Sequence, residues 1–456
     1  MRSHSQTPSR RRAGTAGPRG LAGAPRRFLD AWTQLVGPAG LPRLPRRRGR
    51  KAHVPLRQVW PALTFHVMQG AGTLAEHFEQ LFGVALADSS WAARRARLPW
   101  DVFADLLRRL LRPLATRRRH PDAFWRGWRL VALDGTQFSL RNTAQIVTRV
   151  RKAQTRRGQA AFAKLTTVVL LELGLHNPLA AAIGKPGQSE WELACHLLRQ
   201  LPAGALLLAD RLYGCAAFAA QALATCTQVG SHVLLRARRD LKVGVVQRLA
   251  DGSRLVVVAV RDAHSRRMVD WLHLREIRVR VKRPGRRGHE LRLWTSLLDP
   301  TTAPALELAQ LYARRWEHEL YYRELKRELR KTELLQSHTV ETAAQEVAAL
   351  VLASALLAAE RARVATRSVP ALRVSFIKVF ALVQPLWLML GLLDDVISED
   401  VKAIAVKRVY RQMRRCVTRK RRRPRSCPRA VRQPVKGWPR LLHTQSVEGE
   451  FHFTVR

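Results

Sequence analysis

Trp128–Thr136, WRLVALDGT, decides how the chain is read. Its centre, Leu130-Val131-Ala132-Leu133, is short, apolar and free of turn formers, as in a strand covered on both faces. The run stops at Asp134-Gly135-Thr136. Ala205–Ala209, ALLLA, repeats the pattern and stops at Asp210, followed by Arg211-Leu212-Tyr213-Gly214. An aspartate that ends a strand is commonly only a turn residue or a helix cap. Two delivered in the same way to the C-terminal edge, where open α/β sheets collect their sites, point to chemistry.

Further elements follow outward from this pair. Leu165–Leu173 and Leu179–Ile183 read as strands separated by Gly174 and Asn177-Pro178. Ser189–Leu201 reads as a helix opened by a Ser189/Glu192 capping box, and Ala216–Ala224 as another. Strands alternating with helices give an α/β class. Residues 231–299 break the alternation: Ser231–Ala237, Leu255–Val260, Leu274–Val281 and Leu291–Leu298 read as strands, with Asp251-Gly252 and Pro284-Gly285 as turns. They form a β-rich insertion.

After the insertion comes Tyr312–Lys326, YARRWEHELYYRELK. On a helix, Tyr312, Arg315, Glu319 and Lys326 fall at roughly 0°, 300°, 340° and 320°, a stripe about 21 Å long. A carboxylate flanked by cations, with a phenol at one end, suits a phosphodiester backbone. Glu317, Glu324 and Glu328 make a second polar stripe on the back, kept apart from the first by Leu311, Leu325 and Leu329 on one side and Trp316 and Leu320 on the other. With two polar faces, the Tyr-Arg-Glu-Lys face is expected to look into a cleft and Trp316 to pack.

The 456 residues carry 81 Lys and Arg against 34 Asp and Glu, 81 − 34 = +47, with a pI of about 11.7. Such an excess, arranged in clusters, selects a polyanionic partner. Five scattered cysteines without a C-x2-C pair argue against a zinc site or disulfide framework and fit a reducing cytosol. The longest apolar run, Val379–Leu393, holds Gln384 and Pro385 and falls short of the ~18 residues a bilayer needs, so no membrane span is expected.

The predicted organisation is a disordered basic arm (1–54, with a short amphipathic piece at Phe28–Val36), helices that bind DNA (55–120), a first core segment (121–230), the insertion (231–300), a core completion with the glutamate helix (301–400) and a basic, Pro-containing tail (401–456). Thr73–Phe82, Gly83 and a helix opening near Asp88-Ser89 resemble a helix-turn-helix that would present Arg94, Arg95 and Arg97. A plain helical bundle with a basic face fits these residues equally well.

Strand–Asp134-Gly135-Thr136, strand–Asp210-Arg211-Leu212-Tyr213, the β insertion, Thr295–Pro300 and Tyr312/Arg315/Glu319/Lys326 together resemble the DDE transposases of bacterial insertion sequences, in the branch with a YREK signature. The resemblance spans about residues 55–365. It implies a ribonuclease H-like core, a mixed sheet flanked by helices, in which Asp134, Asp210 and Glu319 form the catalytic and metal-binding triad. Two Mg²⁺ ions, with Mn²⁺ as substitute, are the implied cofactors. Asp134 would bridge both ions, with Asp210 and Glu319 holding one each.

By the same resemblance Arg315 and Lys326 would hold phosphates flanking the scissile bond, and Tyr312 a phosphate near the terminal nucleotide. Arg211 and Lys164 are counted with them as DNA contacts. Relatives that pass through a hairpin stack a flipped base on an aromatic of the insertion; Trp271 and Trp294 lie in or near its strands but do not match the family position, so the sequence leaves hairpin use open. The implied activity is cut-and-paste transposition: cleavage at terminal inverted repeats and strand transfer. The partners are double-stranded DNA (element ends and target) and a second copy of the chain, in a bacterial cytoplasm at the nucleoid. A silent DNA-binding relic, or a nuclease without strand transfer on the same core, are the alternatives.

Overall fold

The computed structural model describes residues 23–42 and 55–418, apart from 156–157, 263–264, 266, 284–285 and 331. The basic stretches at 1–22, 46–51 and 419–456, Arg156, Arg157 and the Pro284-Gly285 turn lie outside the described residues. Helices come first: α1 Phe28–Val36, α2 Leu56–His66, α3 Leu74–Phe82, α4 Asp88–Ala96 and α5 Trp100–Leu110. β1 Phe124–Trp125 pairs with β2 Trp128–Ser139. After the one-turn α6 Ala144–Val147, β3 Gln154–Thr155 and β4 Gly158–Gln159 form a separate small pair.

The central chain continues through β5 Lys164–Glu172, β6 Asn177–Ile183, α7 Glu190–Leu198, β7 Ala205–Ala209, α8 Ala216–Gln228 and β8 His232–Arg236. The insertion adds β9 Gly244–Arg248, β10 Arg254–Arg261, β11 Met268–Arg283 and β12 Arg286–Thr295. Helices follow: α9 Ala305–Tyr312, α10 Trp316–Arg323, α11 Val340–Val364, α12 Phe376–Leu392 and α13 Glu399–Arg415.

The strands run β6-β5-β2-β7-β8-β12-β11-β10-β9 in one sheet. β2, β7 and β8 are parallel, whereas β5 is antiparallel to both β2 and β6. With β2 as the first strand, the core order is 3-2-1-4-5, the ribonuclease H-like arrangement. Both faces are covered, which is why β2 and β7 read as continuous apolar runs. Leu130, Ala132 and Phe138 of β2 join the core shared with α9–α11 and the N-terminal helices. Val131 and Leu133 join the core under α7 and α8.

Several boundaries differ from the expected organisation. β8 is the fifth core strand, parallel to β7, so the insertion starts after it and not at residue 231. The insertion is also no separate body, since β12 pairs with β8 and carries the central sheet onward. α1 lies inside the expected disordered arm, yet it buries Phe28, Ala31 and Trp32. α13 occupies the start of the expected tail and buries Val406, Tyr410 and Met413. Its i, i+4, i+7 apolar spacing hides among Lys and Arg, so net charge masks the periodicity.

α3 and α4 form as the helix-turn-helix resemblance required, with Gly83 in the left-handed conformation that ends α3. Arg95 does not face outward, however. It donates to Gln345 Oε1 at 3.1 Å, Ser337 Oγ at 3.1 Å and the Thr342 carbonyl at 2.9 Å, which fastens α4 to the start of α11. Of the described helices, α11 alone is long and apolar enough to cross a bilayer by length and composition, and most of it is buried in the protein.

Candidate active site

Parallel pairing of β2 with β7 ends at Leu133 opposite Ala209, so Asp134 and Asp210 are the next residues on adjacent strands, about 4.8 Å apart in the pairing direction. β2 does not stop at Asp134. It runs on to Ser139, paired with β5 as far as Lys164. Asp134 therefore sits inside a strand at the point where its partner on one side has turned away. Backbone N–H groups of the following residues hold each carboxylate: Gly135 N donates to Asp134 Oδ1 at 2.9 Å, and Arg211 N to Asp210 Oδ1 at 2.6 Å. Gly214 lets the turn after Asp210 press against β8, because a Cβ there would lie 1.8 Å from the Arg236 carbonyl oxygen.

Glu319 comes from the opposite direction on α10. Arg315, four residues earlier, bridges the two sides: Nη1 is 3.4 Å from Asp134 Oδ2, and Nη2 donates to Glu319 Oε1 at 3.1 Å. Arg236 Nη1 is 3.7 Å from Asp210 Oδ1. The three acids are thus gathered around cations that the chain itself provides. Side-chain exposure rises from 19% at Asp134 through 35% at Asp210 to 43% at Glu319, so access is from the Glu319 side.

The signature stretch is not one uniform helix. α9 ends at Tyr312, a 3₁₀ turn carries Ala313–Arg315, α10 follows, and Glu324–Leu329 is π-helical. A π turn holds an extra residue, so Lys326 is phased differently from the regular 100° step. Its Nζ donates to the Gln137 carbonyl at 2.8 Å and lies 5.1 Å from the Phe138 ring centre. Lys164 Nζ donates to Ser139 Oγ at 2.6 Å. Both lysines therefore flank the far end of β2, and Arg330 stacks on the same Phe138 ring. Burial, with Arg330 and Lys164 nearby, brings Lys326 down to about 8.

Other site residues lie differently from their expected roles. Tyr312 is buried, and its hydroxyl donates to the Ala209 carbonyl at 3.3 Å, bracing the strand end before Asp210. Arg211 is exposed beside Asp210. Trp316 is 56% exposed instead of packed and lies next to Arg315, whose guanidinium carbon is 5.5 Å from the indole. Trp294 is fully buried with Nε1 on Glu276, which removes it as a base-stacking candidate, whereas Trp271 is half exposed.

Two of the three acids on the back stripe, Glu317 and Glu324, are not solvated. Glu317 accepts from Gly174 N at 2.7 Å, and Glu324 lies between His176 and Arg361. His318, between these acids and the site, is buried with Nε2 2.9 Å from the Val169 carbonyl.

Burial is the main force pushing Asp134 up to about 7, and Glu190 and Asp210 add repulsion while Arg315 and the Gly135 N–H oppose it. The native state therefore keeps a proton that the unfolded chain releases near 3.8. Between those values the folded form binds more protons, so this group's stabilisation is full at low pH and fades as pH rises through about 7. The expected result is a metal-free melting temperature that falls between pH 5 and pH 8, in part restored by Mg²⁺ at pH 8 but not at pH 5. Calorimetric scans of wild type beside Asp134→Asn, which should flatten this part of the slope, check it.

The family profile described as "Transposase DDE domain" matches residues 125–356, from β1 into α11. The chain belongs to the DDE transposase family. It is 28% identical over 237 residues to the transposase InsG of insertion sequence element IS4 from Escherichia coli (strain K12), a match covering 51% of this chain and 52% of that protein. The chain thus spans about half the length of the curated relative it matches. A solved piggyBac transposase synaptic complex with hairpin DNA aligns over 91% of this chain and 90% of that one, at 9% identity and a TM-score of 0.43.

DDE transposase domains use divalent metal ions. Carboxylate oxygens are the hard donors such ions take, and Asp134, Asp210 and Glu319 bring them to one end of the paired strands β2 and β7. Among the described residues, no three Asp, Glu, His or Cys side chains converge closely enough to share an ion. Arg315 stands between Asp134 and Glu319. The donors fit in kind, and closing them round a cation requires the guanidinium to move aside.

Proposed function

We propose that this transposase cuts DNA at the ends of an insertion sequence and joins the freed 3′ ends to a target, with Asp134, Asp210 and Glu319 holding two Mg²⁺ ions. It would recognise terminal inverted repeats and act as a homodimer across two ends. The observation that supports this most is the single guanidinium of Arg315 shared by Asp134 and Glu319, with Asp210 on the neighbouring strand. When bound, the ions would polarise the phosphate and supply an activated water.

The chain's own residues would do the rest. Arg315 Nε is buried and without a hydrogen-bond partner among the described residues, so the guanidinium is not fully satisfied by the two acids. A phosphate can take it bidentately, which frees the carboxylates at the moment DNA arrives. Lys326 and Lys164 would hold the backbone beyond Asp134, along the last residues of β2. Exposed Trp316 offers an indole face beside Glu319 for an unstacked base. The YREK branch is the one these positions support.

Purified protein, Mg²⁺, a duplex carrying the element end and a target plasmid test the proposal. Nicking followed by joined products is the expected result. Nicking without joining would reduce the protein to a nuclease, and neither product would reduce it to a DNA-binding relic.

A pH effect accompanies the phosphate contacts. Lys326 is charged below about 8 and loses its proton above it in the free protein. End binding should therefore weaken between pH 7 and pH 9 by up to about tenfold, the most that one proton titrating near 8 can contribute. Lys326→Arg should abolish most of that dependence. Fluorescence anisotropy at fixed ionic strength measures both, and equal slopes for the two proteins would remove Lys326 from the interface.

A further inference from the structure

Glu190 is an acid at this site that the triad leaves unused. It is the first residue of α7, directly after the Ser189 cap. Acids at helix starts are ordinarily there for the helix dipole. Here that work falls to Glu192, whose carboxylate accepts from Ser189 N at 2.7 Å and Ser189 Oγ at 2.9 Å. Glu190 turns instead toward the end of the catalytic strands. It lies over Gly135, the residue after Asp134, where a Cβ would come 2.1 Å from Glu190 Cδ. Only glycine fits there while Glu190 holds its position.

A second contact fixes the carboxylate. The hydroxyl of Tyr213, whose ring is fully buried, donates to Glu190 Oε1 at 2.8 Å. Tyr213 N in turn donates to the Asp210 carbonyl at 3.0 Å, so the tether belongs to the turn that Asp210 begins. Two positions of the sequence signature, the glycine after Asp134 and the tyrosine three residues after Asp210, thus converge on one side chain. Glu190 Oε2 accepts no hydrogen bond, and no Lys or Arg pairs with Glu190, among the described residues. In a chain with 81 basic residues, a half-buried carboxylate without a cation is unusual. Its charge is felt by Asp134, and Tyr213 feels Glu190, Asp134 and Asp210 together.

We propose that Glu190 is a fourth carboxylate of the divalent-cation site, held by Tyr213 and approaching from the α7 face while Glu319 approaches from the α10 face. This rests on the metal-dependent reading of the Asp134, Asp210 and Glu319 site. Charge count sets the affinity of oxygen sites for hard cations, so neutralising Glu190 weakens the ion's hold without moving the triad. Glu190→Gln suits the purpose because the amide oxygen still accepts from Tyr213.

The test is Mn²⁺ binding to the full chain without DNA, read from the electron paramagnetic resonance of free Mn²⁺, on wild type, Glu190→Gln, Asp134→Asn and Glu192→Gln. Expected is a loss of about tenfold or more in affinity for Glu190→Gln, a comparable or larger loss for Asp134→Asn, and wild-type binding for Glu192→Gln. Unchanged affinity in Glu190→Gln beside a loss in Asp134→Asn overturns the fourth carboxylate and leaves the triad standing. No dependence on Asp134 overturns both. Should Glu190→Gln melt below wild type, Tyr213→Phe decides, because it removes the tether and keeps the charge. Affinity within about threefold of wild type supports a direct charge effect, and a loss as large as that of Glu190→Gln assigns Glu190 a purely structural part.

Discussion

Under the proposed function, Asp134→Asn or Glu319→Gln is expected to lower metal-dependent cleavage of an end-containing duplex by at least ~10³-fold, since several kcal/mol of charge stabilisation would depend on each acid that holds an ion and each ~1.4 kcal/mol is tenfold in rate. The fold should survive both changes. Asp134 accepts its one backbone hydrogen bond through Oδ1, which an Asn oxygen can also do, and Glu319 is 43% exposed. Duplex binding should persist, because the basic surface is intact. Arg315 separates this expectation from simple misfolding. With either acid neutralised it keeps the other, so the stretch from α9 to α10 stays docked. Single-turnover cleavage beside anisotropy-measured binding checks the pair, and retained cleavage in either variant would remove that acid from the reaction.

The second large effect is on stability and lies at Glu172. This carboxylate at the end of β5 is fully buried. It accepts from Leu114 N at 3.0 Å, Ala115 N at 3.1 Å and Asn177 Nδ2 at 2.9 Å, and it pairs with Arg129. It therefore pins the segment leaving α5 to the edge of the catalytic sheet. Glu172→Ala leaves Arg129 and two backbone donors without their acceptor, a cost of about 3–5 kcal/mol. At roughly 2–4 °C per kcal/mol for a domain of a few hundred residues, melting should fall by about 10 °C. Replacing both partners, Arg129→Met with Glu172→Leu, should recover part of the loss, because no lone charge then stays buried. A Glu172→Ala protein melting within a degree or two of wild type would refute this account.

Much of the core was legible because its strands are covered on both faces. Leu130–Leu133 and Ala205–Ala209 could be nothing but interior, and the aspartates after them mark where the interior ends. The capping box at Ser189 and Glu192 was equally plain and forms as read. What escaped has identifiable causes. Glu172 looks like the polar end of a strand, and nothing local says that two backbone N–H groups from residues 114 and 115 will meet it. Glu317 and Glu324 share a helical face that periodicity assigns to water, but their partners Gly174, His176 and Arg361 are far away in the chain. Ser231–Ala237 was grouped with the insertion because a strand carries no mark of whether its neighbour is parallel. Glu190 was read only as part of a helix start, since its meaning depends on Gly135 and Tyr213 arriving beneath it.

The continuity of the sheet makes the insertion a ruler. From β2 to β11 the path crosses β7, β8 and β12, four strand spacings of about 4.8 Å, or roughly 19 Å. At about 3.4 Å per nucleotide step, that is between five and six base pairs. A duplex lying along this edge with its scissile phosphate at Asp134 would meet β11 at that interval inward from the cut, with no joint between to stretch or shorten the reach. Hydroxyl-radical footprints should then show a protected patch at that offset, and inserting a single base pair before it should put the cut and the patch out of step.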